Sequence, residues 1–185
     1  MEPDFTICFL PFAFLPIAPL QNMALTFADF VAKFPPVTMP ATLGEDTHHT
    51  FSTENLPLSD ALIALYIQPA EGVAADDEFT EYLPCFAIAD TEQFIALVWW
   101  KATLLNYEYV LATFTGKGHL IGRQIIAQTR VERDGSIYRS VATINEDYEI
   151  LIAEGQSAGP TDVFDPTTSR TRHVEIMANG EIIQY

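Results

Sequence analysis

The densest set of side chains able to do chemistry is Gly44-Glu45-Asp46-Thr47-His48-His49. Two carboxylates and two imidazoles could ligate zinc or a harder ion, or serve as acid and base on a substrate. A metal needs ligands that converge, and adjacent histidines on an extended loop diverge. His119 and His173 would have to be brought in by the fold. On spacing alone the run reads as a solvated polar loop, and no cofactor is implied. If a metal is held at all, its candidate ligands are Glu45, Asp46, His48 and His49.

Trp99-Trp100 is the second feature with chemical content. Neighbours on a strand face opposite sides, so one ring belongs to the core. The other, Trp100, either lies under a covering helix or shares an open face with Tyr107 or Tyr109. An open aromatic face would bind a sugar or anchor a protein partner. Gly116-Lys117-Gly118-His119 resembles a piece of a phosphate loop, but a strand follows where a phosphate loop needs a helix. It reads as a hairpin tip. Gly-x-Ser-x-Gly is absent, so no nucleophile elbow is available. Cys8 and Cys85 are too few for a disulfide framework, and Cys85 reads as a small buried hydrophobe.

Charge is unevenly placed in this chain of 185 residues with net charge −16. Between Pro35 and Trp100 there is no Lys or Arg, but there are eleven acids. From Lys101 onward eight bases nearly balance eleven acids. A negative N-terminal half repels phosphate backbones and attracts cationic partners. Nucleic-acid binding is therefore disfavoured and a basic protein is the expected partner. Asp76, Asp77, Glu78 and Glu81, with Trp100, are the candidate partner-binding residues. Oligomeric state is not set by the sequence.

The elements that position these groups follow from periodicity. Thr26 caps a helix whose Phe27, Phe30, Val31 and Phe34 share one face, with Asp29 placed to complete a capping box. Pro35-Pro36 ends it. Pro36–Pro57 reads as a long extended connection. Ser59-Asp60 caps a second helix, Ala61–Ile67, stopped by Pro69. Strands are then expected at Tyr82–Ile88, Phe94–Lys101, Tyr107–Phe114, His119–Arg130, Ile137–Ile144, Tyr148–Glu154, Arg172–Met177 and Glu181–Tyr185. Gly118, Gly135 and the pair Asn179-Gly180 mark hairpin turns between them. The short connections leave no room for crossovers, so the sheet is expected to be antiparallel.

Residues 1–22 are apolar, but they begin with Glu2 and Asp4 and are broken by Pro11, Pro16 and Pro19. They read neither as a secretory signal nor as a membrane span. Two readings stay open. Either this leader is an upstream translation that the working protein lacks, with Met23 as its start, or it is a tail packing Phe5, Phe9, Phe12 and Phe14 on the domain. A cytoplasmic location is expected.

Phe27-x-x-Phe30-x-x-x-Phe34-Pro35, then Tyr109-x-Leu111-x-Thr113-Phe114-x-x-x-Gly118-x-Leu120-Ile121, and Asn179-Gly180-x-Ile182 together resemble a group of uncharacterised bacterial proteins. Many of that group are small secreted or lipid-anchored β proteins. The resemblance implies a mainly β fold with N-terminal helices and no activity. This chain departs from the exported members in lacking a signal. The expected object is one α+β, mainly β domain over residues 23–185: two short helices on a twisted antiparallel meander of about seven or eight strands, curved or forming a partial barrel. The expected function is non-enzymatic binding, for instance an immunity-type inhibitor of a basic toxin. The alternatives are an enzyme using the Glu45–His49 groups and a structural module of a larger assembly.

Overall fold

The computed structural model describes residues 25–73, 78–89, 91–157 and 165–185. The leader 1–22 and the pair Asp76 and Asp77 lie outside the described residues. Ten strands make one mostly antiparallel sheet. Its backbone is a meander in which each strand turns into its neighbour: β3 (Glu81–Ile88), β4 (Ile95–Thr103), β5 (Asn106–Phe114), β6 (Leu120–Val131), β7 (Ile137–Ile144), β8 (Glu149–Ser157), β9 (Arg170–Ile176) and β10 (Ile182–Gln184). These eight lie close to the segments expected from alternation and turn residues.

The strand count and the helices differ from expectation. The stretch Pro36–Pro57 is not an extended connection. It contains β1 (Pro36–Val37), β2 (Ala41–Leu43) and a helix, α2 (His48–Glu54). β1 lies parallel to β3, so the sheet is not wholly antiparallel. α1 (Phe27–Val31) carries the expected capping box between Thr26 and Asp29. The second expected helix is longer than its sequence implied. α3 (Asp60–Leu62) runs through a π-helical turn, Ile63–Ile67, into α4 (Gln68–Glu71), so Pro69 lies inside the helix. Proline lacks an N–H for the turn behind it, and the widened π turn accommodates that loss. Gly72, left-handed at φ 72°, is the cap that ends it.

The sheet has a core on each face. On one, α1 and α3–α4 press Phe27, Phe30, Phe34, Leu62 and Ile67 onto Leu97, Trp99, Val110, Ala112 and Phe114. Phe30 stacks on Tyr66 with centroids 5.0 Å apart, and Phe27 meets Phe114 at 5.4 Å. On the other face the sheet rolls over a second core of Val98, Leu111, Ile126, Ile144, Ile152 and Val174. β4 is buried on both sides, which is why its sequence is almost continuously apolar. Glu71 ties the helix layer to the sheet. Its nearly inaccessible carboxylate accepts Lys101 Nζ at 2.9 Å and Arg123 at 2.7 Å.

The roll does not close into a barrel. Its far end is plugged by the β9–β10 turn, where Thr113 Oγ1 donates to the Gly180 carbonyl at 2.6 Å. At the other end β6 and β7 stay paired only from Val131–Ile137 to Gln128–Ser140. Beyond Ser140 the two strands part, and β2 takes the vacated place beside Ala142–Ile144. This fork sets the position of everything that follows.

Candidate functional site

A cavity of about 270 Å³ lies at the fork. Gly44, Glu45, Asp46 and His48, which follow β2, form one side. Trp100 from β4 and Tyr107 and Tyr109 from β5 form a second, and Gln128, Thr129 and Ser140 come from the last paired rungs of β6 and β7. Clefts at the mouths of rolled sheets are common ligand sites because one end of the core must meet water.

The aromatic groups stand in a row. The His48 ring stacks on Trp100 at 4.7 Å between centroids, and Trp100 stacks on Tyr107 at 5.9 Å, each pair within 4° of parallel. Trp100 thus stacks with both neighbours and also lines the cavity. One of those stacking rings, that of His48, comes from the first residue of α2. Trp99 points the other way and is fully buried under the helices.

The polar groups are held firmly. Gly44 N–H donates to Thr47 Oγ1 at 2.9 Å, which fixes the turn after β2. His48 Nδ1 lies 2.8 Å from the Glu45 carbonyl oxygen. A carbonyl can only accept, so Nδ1 carries a proton and donates it. Arg139 Nε donates to Glu45 Oε2 at 2.8 Å, and another guanidinium nitrogen of Arg139 donates to Ser157 Oγ at 3.1 Å. Ser140 Oγ accepts the Gln128 N–H at 2.9 Å, replacing a ladder bond where the strands separate.

Tyr109 is the exception. It is 3% exposed, and its hydroxyl makes no hydrogen bond of ordinary geometry. Burial pushes the phenol well above its usual range. The Asp46 charge adds to that rise, and hydrogen bonding from the Thr47 side chain and the His48 backbone only partly offsets it. Buried polar groups are normally satisfied, so a poorly satisfied hydroxyl on a residue that lines a cavity marks a place where a partner is wanted.

The structure brings together Glu45, Asp46, His48 and Trp100 from the residues singled out in the sequence. His49 stands outside that lining, although its ring is 3.9 Å from His48. The two histidines do not diverge as on an extended loop, because α2 begins at His48. Among the described residues no group of three or more His, Cys, Asp or Glu is placed to hold a metal ion. Glu78 and Glu81 are exposed. Glu81 pairs with Ala102, two positions from Trp100 along the same face of β4.

Sequence reasoning missed Gln128, Thr129 and Ser140. Their signal was polar residues interrupting otherwise apolar strands. A second polar cluster, around Glu154, is saturated. Its buried carboxylate accepts from the Tyr138 hydroxyl at 2.5 Å, from Arg172 Nε at 2.8 Å and from Arg170 Nε. Burial alone would raise its pKa, but those donors outweigh it and hold the carboxyl below its usual range.

Set against protein-family profiles, curated proteins and solved structures, the chain matches none of them. The class that its fold defines is a mainly β protein with one rolled sheet, short helices on the outer face and a cavity at the open end. Among the described residues no helix is long and apolar enough to cross a membrane.

Proposed function

We propose that this protein binds a small molecule in the cavity at the β6–β7 fork. One observation carries the reading: Tyr109, one of the residues lining that cavity, buries a hydroxyl that makes no hydrogen bond of ordinary geometry among the described residues. Rigid strands supply most of the wall, which favours recognition over a catalytic rearrangement. His48 carries a proton on Nδ1, and no nucleophile is hydrogen-bonded to its ring among the described residues. Binding without turnover is therefore favoured over catalysis.

The test is amide chemical-shift mapping with the neutral probes phenol, cyclohexanol and 2-phenylethanol. Shifts should concentrate at residues 44–48, 100, 107–109, 128–129 and 140, and Ser140→Leu, which fills the cavity, should abolish them. Shifts elsewhere only, or none with millimolar probe, would remove the reading.

A second reading keeps the basic protein partner. Glu54, Asp60, Glu78, Glu81 and Glu92 are exposed and form no salt bridge among the described residues. The field is smaller than the sequence implied, since Glu71 and Glu45 are engaged by Lys101, Arg123 and Arg139. Capture of a cationic protein that weakens steeply with salt would support it, and salt-independent capture would not.

A further inference from the structure

The lining of the cavity is rich in acceptors. Glu45 and Asp46 both border it, and among the described residues no Lys or Arg does. Arg139 neutralises Glu45 through Oε2 from outside the lining. The Asp46 carboxylate takes part in no salt bridge among the described residues. His48 has spent its Nδ1 proton on the Glu45 carbonyl. Ser140 Oγ already takes one backbone N–H. The Tyr109 hydroxyl stays protonated through its burial and can either donate or accept. A ligand facing this set must bring donors, and an anion would face two carboxylates with the nearby guanidinium already engaged.

We propose that the ligand is a small organic cation, a protonated amine with a compact apolar body, its ammonium received by the Asp46 carboxylate and the Tyr109 hydroxyl. This rests on the cavity being a ligand site. Charge and shape agree. An ammonium is a compact donor of three N–H groups and matches scattered acceptors, whereas a hard metal ion needs several oxygens converging at short range. No such converging group is present among the described residues. Trp100 and Tyr107 supply an apolar wall for the body of the ligand. The volume of about 270 Å³ gives room for on the order of ten non-hydrogen atoms at the density of water. Asp46 and Tyr109 both line this cavity.

The experiment is isothermal titration calorimetry of the full chain at pH 7 with three probes sharing one body: 2-phenylethylamine, 2-phenylethanol and 3-phenylpropionate. The amine should bind at least about ten-fold tighter than the alcohol, as a charge-assisted hydrogen bond allows, and the carboxylate should not bind. Asp46→Asn should bring the amine down to the alcohol. Glu92→Gln, the same loss of charge at the turn before Phe94, should leave the ratio unchanged. If the alcohol or the carboxylate binds as well as the amine, or Asp46→Asn leaves the ratio intact, the cavity still binds but the ligand class is wrong. If none of the three binds, the ligand-site reading falls and the cation proposal with it.

Discussion

Replacing Tyr109 with phenylalanine should stabilise the free protein while weakening its binding. The ring sits in the inner core beside Cys85, Val98 and Leu111 and keeps those contacts in the variant. Only the hydroxyl is lost. A buried hydroxyl without a partner carries a penalty of about 1–3 kcal/mol. Water in the cavity recovers part of it, so a gain of about 0.5–1.5 kcal/mol is expected on removal. In a chain of 185 residues each kcal/mol moves Tm by about 2–4 °C, so the midpoint should rise by about 1–6 °C. Urea unfolding followed by tryptophan fluorescence should show a higher midpoint at constant slope. The sign is diagnostic, because most point substitutions destabilise. Were the hydroxyl satisfied by Thr47 and the His48 backbone, the same change would cost about 1 kcal/mol. A loss of that size would refute the reasoning. The variant should also bind 2-phenylethylamine more weakly, so stability and affinity move in opposite directions.

Glu71→Gln should destabilise by about 2–4 kcal/mol in urea titrations, because two cations lose the carboxylate that they share. Adding Lys101→Met should recover part of that loss, and a double variant no better than the single would contradict the shared role. Gly118→Ala should cost about 2–3 kcal/mol, since Gly118 holds φ at +84° and an added Cβ would lie 2.8 Å from Phe27 Cγ. Gly116→Ala in the same turn, with nothing within 4 Å, should be nearly neutral. The Glu154 carboxyl is held below its ordinary value of 4.5 when folded, so its contribution is present above that pH and fades as pH falls through the lower folded value. Glu154→Gln should therefore lower stability at neutral pH and flatten its acid dependence.

Much of the meander was legible because alternation and glycine turns are local signals. Val174 and Ile176 face the core and His173 faces water, as the pattern of β9 implied. Ile137–Ile144 was delimited to the residue by apolar ends and flanking turn residues. The π turn was not legible, because Pro69 normally stops a helix and here the widened turn absorbs it. α2 was missed since His48–Glu54 has no apolar period; a single ring, Phe51, packs on Phe86 at 5.7 Å. The cavity was only half legible. Trp100 and Tyr109 pair across β4 and β5, which alternation can place. Ser140 and Gln128 meet the Glu45–His48 segment only because β6 leaves β7 and β2 replaces it, and no local pattern encodes that departure.

The seam between β2 and β7 has a kinetic consequence. Most of the hairpins close over six residues or fewer, but the side-chain oxygens of Thr42 and Thr143, 3.1 Å apart, join positions separated by 101 residues. Entropy of loop closure delays such a contact until the later strands have found each other. A refolding chain would then pass through a stage with its C-terminal ribbons zipped and its N-terminal clasp still loose. Pulse-labelling exchange should catch the amides of residues 41–49 gaining protection last, and binding competence should arrive with that final phase.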